Sequence, residues 1–220
     1  MNQKRIKLIA LIVVELAFLC LSVNTGKTGE NTWTTTGPYG VRMMDLAIDP
    51  SDSKVIYATS PDAAASVYRS EDAGTTWVSS SNGIPEYANA AWGDSLVFEP
   101  GDSSTVYVAT QRGVYKSSDS GESWVEKGTL VENDVEKLIQ ACSIAIALDG
   151  TLFAGGCEVP LGNEAGGGIF RSKDGGETWE RLMAGAPTGS ILSLVQGASA
   201  PYILYAGGYS EVGIFKRRDS

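Results

Sequence analysis

Two aspartates, Asp62 and Asp94, are the side chains of this sequence that could carry out acid–base catalysis together. The sequence contains no histidine, so proton transfer would have to rest on carboxylates, tyrosine or lysine. Two carboxylates held about 5–10 Å apart can cleave a glycosidic bond, one as the acid and the other as base or nucleophile. This chemistry requires a fold that brings the two residues face to face. The missing histidine also excludes Ser-His-Asp and Cys-His catalysis and His-ligated metals, and we predict neither a metal site nor a cofactor.

Eight further residues have side chains that could bind a ligand, and all lie between predicted strands. Trp92 is the most distinctive, because it is either a platform for stacking a sugar ring or a filler between packed sheets. Aromatic and acidic groups together suit sugars or basic peptide segments. The predicted binding residues are Tyr39, Arg42, Glu86, Tyr87, Trp92, Arg112, Glu158 and Tyr209.

The charge of the chain limits its partners. Its 220 residues carry a formal net charge of −9 and no cluster of lysine and arginine. Nucleic-acid phosphates must be neutralised by clustered cations, so we predict no nucleic-acid partner, and anionic membrane surfaces are disfavoured for the same reason. The 26 glycines suit a chain with many tight turns better than a helical bundle.

Residues 1–22 have the pattern of a secretory signal peptide. Three basic residues precede an apolar run over 8–21, which Glu15 alone interrupts with a charge, and the run is shorter than the roughly 20 residues that span a bilayer. A retained N-terminal anchor and a lipid on Cys20 are the alternatives. We therefore predict an exported chain that is secreted, periplasmic or at the cell surface. Its mature domain is 23–220, and it does not contact the membrane after cleavage.

Four internal repeats organise the chain. Each repeat holds β-rich runs, called A to D, which in the first repeat cover 43–49, 54–60, 66–70 and 76–80. Tryptophans recur after 44, 47 and 55 residues, at Trp33, Trp77, Trp124 and Trp179. This period suits four strands in each blade of a β-propeller.

The turn between C and D carries a repeated Ser-x-Asp-x-Gly-x-x-Trp motif. Its aspartate can accept hydrogen bonds from the turn backbone, its glycine supplies a backbone angle that other residues resist, and its tryptophan can be buried against the neighbouring sheet. We interpret these aspartates as structural, because three equivalent copies at a rim cannot converge on one substrate. The motif residues are Asp72, Gly74, Trp77, Asp119, Gly121, Trp124, Asp174, Gly176 and Trp179.

This motif resembles the Asp box, or BNR repeat, of propellers such as sialidases, sortilin-type receptors, photosystem assembly factors and xyloglucanases. The resemblance implies an all-β propeller of four-stranded antiparallel blades, with four blades in this chain. A sialidase would need three arginines to bind the carboxylate of its substrate, and only Arg42 and Arg112 lie in suitable loops. Asp62 follows strand B, loosely where xyloglucanase-type propellers place a catalytic aspartate, but Ala63–Ala65 replace the expected glycines.

The leading functional hypothesis is an exported, non-catalytic module that binds a glycan or a protein on the face formed by the D–A and B–C loops. The first alternative is a glycoside hydrolase that uses Asp62 and Asp94. The second is a fragment of a larger propeller, which would self-associate through open sheet edges.

A disulfide between Cys142 and Cys157 is a further prediction. Asp149-Gly150 is typical of a two-residue hairpin turn, and that turn would place residue 142 opposite residue 157. Opposed residues are within disulfide range, and export would supply an oxidising compartment. Two free buried thiols are the alternative.

Two predictions concern the remaining segments. Apolar residues at helical spacing, after capping residues Asn133 and Asp134, predict a short helix within 132–141. Residues 29–33 resemble the glycine and tryptophan end of the motif. The segment 33–36 is therefore predicted to complete the last blade as its strand D, which would close the ring.

Overall fold

The computed structural model describes residues 34–61, 67–85, 95–132, 134–157, 166–182, 189–197, 203–208 and 214–218. The chain divides into two compact units, Met1–Thr36 and Gly37–Ser220, and the strands of the described residues belong to the second. The described ranges contain strands and turns without helices. None of their segments is a helix long and apolar enough to cross a membrane. The predicted signal peptide, 1–22, lies outside these ranges.

The strands form antiparallel sheets in chain order, as the repeats predict. Blade 1 consists of β1 (Asp45–Ile48), β2 (Ile56–Thr59), β3 (Val67–Ser70) and β4 (Val78–Ser79). Blade 2 consists of β5 (Ser95–Glu99), β6 (Asp102–Thr110), β7 (Gly113–Ser117) and β8 (Val125–Glu126). A two-stranded hairpin follows, formed by β9 (Thr129–Glu132) and β10 (Val135–Leu138).

The second half of the chain repeats the same plan. Blade 3 consists of β11 (Ala141–Ile146), β12 (Leu152–Gly156), β13 (Gly168–Ser172) and β14 (Glu180–Arg181). Blade 4 has three strands among the described residues: β15 (Ile191–Gln196), β16 (Ile203–Gly208) and β17 (Ile214–Arg218). The innermost strands of successive blades contact one another. The predicted all-β propeller with four blades is therefore confirmed.

The core is divided into three apolar clusters, each between two successive blades. Tyr57 and Val67 of blade 1 pack against Leu96 and Val108 of blade 2. Equivalent clusters join blade 2 to blade 3 and blade 3 to blade 4. The blades therefore stabilise one another in series, because each sheet buries its apolar faces only against its neighbours.

Backbone carbonyls add polar links across these interfaces. Trp124 Nε1 donates to Ser80 O of blade 1 over 2.7 Å, and Trp179 Nε1 donates to Lys127 O over 2.5 Å. Both rings are buried as predicted, at 3% and 7% exposure. Trp77 is half-buried instead, because the described residues place no blade before blade 1 to cover its ring.

The predicted helix within 132–141 is wrong, since this segment contains β10. Val135 pairs with Glu132, and Asp134, directly before Val135, has a φ of 61°. Aspartate tolerates this left-handed conformation, which two-residue hairpins require. Asp134, predicted as a helix cap, therefore belongs to a hairpin turn, and Asn133 lies outside the described residues.

The disulfide between Cys142 and Cys157 is confirmed, with 5.3 Å between the two Cα atoms. The register predicted for it was wrong. Ile146 pairs with Leu152, Ala147 N donates to Thr151 O, and the three residues 148–150 form the connection, with Gly150 at a φ of +82°. Ala141 then pairs with Gly156, so Cys142 lies at a bulge and the two bonded cysteines are not opposite each other in the register.

The predicted closing strand, 33–36, is not formed by the three of its residues that the structure describes, 34–36. Trp33 lies outside the described ranges, and residues 34–36 are exposed and belong to no strand. Strand β17 is the last strand of its sheet among the described residues.

Candidate functional site

The strand order brings the described residues that flank the D–A and B–C loops to one end of the propeller, called here the loop face. Tyr39 projects from this face with 70% of its surface exposed, and Arg42 and Arg112 are exposed as well. A side-chain hydrogen bond holds the backbone of the Arg112 loop, since Tyr115 Oη donates to Arg112 O over 3.5 Å. A phenol of ordinary pKa already donates at neutral pH, and burial raises the pKa of Tyr115 further, to about 12.

The other predicted loop-face residues fall outside the described ranges. This applies to both candidate catalytic residues and to five of the candidate binding residues: Asp62, Asp94, Glu86, Tyr87, Trp92, Glu158 and Tyr209. Their predicted roles therefore stay predictions.

A cavity of about 500 Å³ lies among the innermost strands of all four blades. Residues from the beginning of these strands line it, including Met44, Cys142 and Leu192. Because each of these strands follows a D–A loop, the cavity lies at the loop-face end of the propeller. Its volume is within the range of small-molecule and glycan sites, roughly 300–1,000 Å³.

Each blade contributes an equivalent polar residue to this cavity. The strand registers align these four residues, since each stands immediately before the leucine or isoleucine of the same cross-strand row. We call them the polar ring: Asp45, Ser95, Ser143 and Ser193. A row of hydroxyls and one carboxylate can donate hydrogen bonds to carbonyls and accept them from sugar hydroxyls or amides.

Two members of the polar ring also join neighbouring blades. The Asp45 carboxylate accepts hydrogen bonds from Leu96 N of blade 2 over 3.0 Å and from Leu46 N over 2.8 Å. Ser143 Oγ donates to Ile191 O of blade 4 over 2.7 Å. These contacts fix Asp45 and Ser143 to the backbone, so this part of the cavity is preorganised before any ligand enters.

The disulfide braces one side of the cavity. Cys142 lines it, and its partner Cys157 directly follows strand β12, where a B–C loop begins. The sulfur bridge thus joins the start of an innermost strand to the root of a loop on the loop face. Blade 3 therefore presents a fixed edge to a ligand in the cavity.

The three Ser-x-Asp-x-Gly turns do not line this cavity. In the second turn, Asp119 accepts from Ser117 Oγ over 2.7 Å, from Ser123 N over 2.9 Å and from Ser123 Oγ over 2.5 Å. Asp72 and Asp174 accept the same three bonds in their own turns. These carboxylates are engaged by their own turns, which lie at the end opposite the D–A and B–C loops.

These turns make the stability of the fold depend on pH. Hydrogen bonds from the Ser123 side chain and backbone lower the pKa of Asp119 to about 2, and bonds from Thr76 and Thr178 lower the pKa of Asp72 and Asp174. An unfolded aspartate has a pKa of about 3.9. The stabilisation is therefore complete above about pH 5, and it is lost as the pH falls toward the folded value near 2.

We expect the urea midpoint of the protein to fall between about pH 5 and pH 2. Asp119→Asn should show a shallower fall over this window, because its amide does not titrate. Urea unfolding followed by tryptophan fluorescence at several pH values measures both slopes. Parallel slopes for the two proteins would contradict the role of Asp119.

The described residues hold no group of three cysteine, aspartate or glutamate side chains that could bind a metal ion. Sequence reasoning missed the polar ring, although a signal was present: in each repeat a polar residue directly precedes the apolar core of the first strand. Among the described cavity residues Asp45 is the one carboxylate. This part of the site is therefore suited to hydrogen bonding.

Comparisons with known proteins support the fold. No family model matches the chain, and no curated protein matches its sequence. An ancestral GH74 enzyme superposes with a TM-score of 0.53 and 17% identity, and the match covers 84% of this chain and 27% of the enzyme. YCF48, in the structure of YCF48 bound to D1 peptide, superposes with a TM-score of 0.54 and 15% identity over 84% of this chain and 57% of YCF48. The chain thus spans less than two thirds of either structure, and at these identities the likeness shows the propeller fold alone.

Proposed function

We propose that this protein is an exported, non-catalytic propeller of the Asp-box type that binds a ligand in the axial cavity and on the loop face around it. The observation that carries the proposal is the polar ring, which four repeats build from equivalent positions and of which two members, Asp45 and Ser143, are bonded to the backbone of a neighbouring blade. The ring offers both donors and acceptors but only one carboxylate, Asp45. Such a surface favours recognition of hydroxyl-rich or amide-rich groups over proton transfer.

The ligand that fits best is a glycan segment or an extended peptide. The exposed ring of Tyr39, in the loop that precedes β1, supplies an aromatic face in addition to the hydrogen-bonding cavity, and this combination binds sugars and peptide backbones alike. The net charge of −9 favours a neutral or basic ligand over an acidic one. One structural neighbour is described as bound to a peptide, which is consistent with a peptide ligand.

Export and the signal peptide over 1–22 belong to the same proposal. The disulfide supports it, because structural disulfides persist in oxidising compartments. The three Ser-x-Asp-x-Gly turns, with their common hydrogen-bond pattern, support membership of the Asp-box propellers.

A glycoside hydrolase is the second candidate. Asp94 directly precedes Ser95, whose side chain lines the cavity, so the position of Asp94 in the sequence favours it as a catalytic residue with Asp62. One structural neighbour is described as a GH74 enzyme. An active enzyme would release reducing sugar from a polysaccharide, and Asp94→Asn would abolish the release.

Calorimetric titration of the full chain tests the proposal. The probes are xyloglucan oligosaccharides, cello-oligosaccharides and a basic peptide of ten residues. We expect saturable binding of one probe class without release of reducing sugar. Ser95→Trp, which fills the cavity, should weaken binding about tenfold or more, whereas Ser118→Trp, in an exposed turn at the other end, should not. Absence of binding to every probe, or equal binding by both variants, would contradict a site in the cavity.

A further inference from the structure

The two terminal blades expose faces that are buried everywhere else in the molecule. Each blade has a leading face, which packs on the preceding blade, and a trailing face, which packs on the following one. The registers define equivalent residues on these faces, because the same cross-strand rows recur in each sheet. Exposure can therefore be compared position by position.

The leading face of blade 1 is uncovered. Leu46 is 62% exposed, whereas its equivalents in blades 2, 3 and 4, Leu96, Ile144 and Leu194, are 5%, 3% and 8% exposed. Ile48, two residues further along the same strand, is 58% exposed. These side chains have the shape and polarity of interface residues, but in the described structure no blade packs against them.

The trailing face of blade 4 is uncovered in the same way. Tyr205 is 38% exposed, although its equivalents Tyr57, Tyr107 and Phe153 are 0%, 0% and 3% exposed. Ile214 is 81% exposed, although its equivalents Val67, Val114 and Ile169 are 0%, 0% and 4% exposed. Val195, in the same cross-strand row as Tyr205, is 58% exposed.

These two faces are complementary, because the chain itself packs such a pair three times. The side chains of a trailing face lie on those of the next leading face in each of the three apolar clusters. No such cluster joins blade 4 to blade 1 in the described residues. The uncovered faces therefore continue an interface that the molecule already uses, and they form its two unmatched halves.

We propose that the trailing face of blade 4 docks on the leading face of blade 1 of a second copy of this chain. The contact is head to tail, so one molecule uses two different surfaces. The smallest assembly that leaves neither face uncovered is a ring of two copies with eight blades. This proposal does not depend on what the loop face binds.

The cation on the trailing face fits this arrangement. Lys116 of blade 2 lies over the ring of Tyr107, 5.3 Å from its centroid, and near Gly175 in the turn of blade 3. Lys216 lies over Tyr205 in the same way, at 5.9 Å. In the assembly, Lys216 would face the turn of blade 1 in the second copy, where Glu71 and Asp72 are acidic.

Native mass spectrometry and light scattering of the full chain test the proposal. We expect a mass twice that of one chain at micromolar concentration. Leu46→Asp and Ile214→Asp should each weaken association about tenfold or more, since each buries a carboxylate in an apolar contact. Both residues are exposed in the single molecule, so these variants should keep its fold. Val131→Asp, at a site 62% exposed on the β9–β10 hairpin, is the matched control and should remain associated.

Mixing the two variants identifies the geometry. Leu46→Asp keeps an intact trailing face and Ile214→Asp keeps an intact leading face, so their mixture should recover a dimer joined by one junction. A monomeric wild-type chain at 100 µM or more, a loss of association in only one variant, or a mixture that stays monomeric would overturn the proposal.

Discussion

Gly121→Ala is expected to lower the free energy of unfolding by about 3–4 kcal/mol, combining left-handed backbone strain with overpacking. Gly121 has a φ of +83°, and an added Cβ would lie 2.5 Å from Ser80 Oγ and 2.7 Å from Tyr57 Cε1. Both contacts belong to blade 1, so the methyl group would separate the blades. It would also disturb the bond from Ser80 Oγ to Gly121 O, which is 2.6 Å long.

Gly101→Ala is the matched control for this prediction. Gly101 has a φ of +81°, and nothing lies within 4 Å of a Cβ built there. Gly101→Ala should lower the free energy of unfolding by about 1–2 kcal/mol, the cost of the left-handed backbone conformation alone. Urea unfolding followed by fluorescence gives both values. Equal losses would mean that the close approach of the two blades at Gly121 contributes nothing.

Short-range patterns were sufficient to predict the blades. The runs predicted over 43–49 and 54–60 contain the observed strands β1 and β2, because alternating apolar residues and the turn between them depend on neighbours in sequence. The position of the turns is set in the same way, by aspartate and glycine at fixed spacing. Repetition strengthened each of these signals, since the same pattern occurred in several copies.

Features that change when a single residue is added to or removed from a turn or a strand were predicted wrongly. The connection after Ala147 has three residues instead of two, and the strand before Ser143 has a bulge. Both changes move the register away from the predicted one, in which Cys142 faces Cys157. The bridge forms nevertheless, with Cys142 at the bulge and 5.3 Å between the two Cα atoms. The hairpin of β9 and β10 was mistaken for a helix, because apolar residues three and four apart fit both structures over so short a segment.

The candidate site and the surfaces near it likewise include features that the repeats could predict and features that they could not. The polar ring follows from the repeats, since Asp45 and Ser95 occupy the position before the same apolar core residue. The exposure of Leu46 and Ile214 could not be predicted, because their equivalents in other blades are buried and the sequence pattern is the same in both situations. Burial here depends on whether a neighbouring blade is present.

Because burial depends on a neighbouring blade, equivalent tryptophans should contribute differently to stability. Trp124→Ala is expected to lower the free energy of unfolding by about 3–5 kcal/mol, the usual cost of removing a buried tryptophan ring. Trp124 is 3% exposed, packs in the cluster between blades 1 and 2, and donates its Nε1 hydrogen to Ser80 O. Its removal would leave both a cavity and an unsatisfied carbonyl at the junction.

Trp77→Ala should cost only about 1–2 kcal/mol, because part of its ring is already in water. Trp77 stands in the equivalent turn of blade 1, is half-buried, and donates to Gly74 O of its own turn over 3.0 Å. Both substitutions are best made in the Ile214→Asp background, so that no second copy covers blade 1. Thermal and urea unfolding then compare the same residue with and without a preceding blade. If both substitutions lower the free energy of unfolding equally, the tryptophans stabilise their own turns and contribute little to the junction between blades.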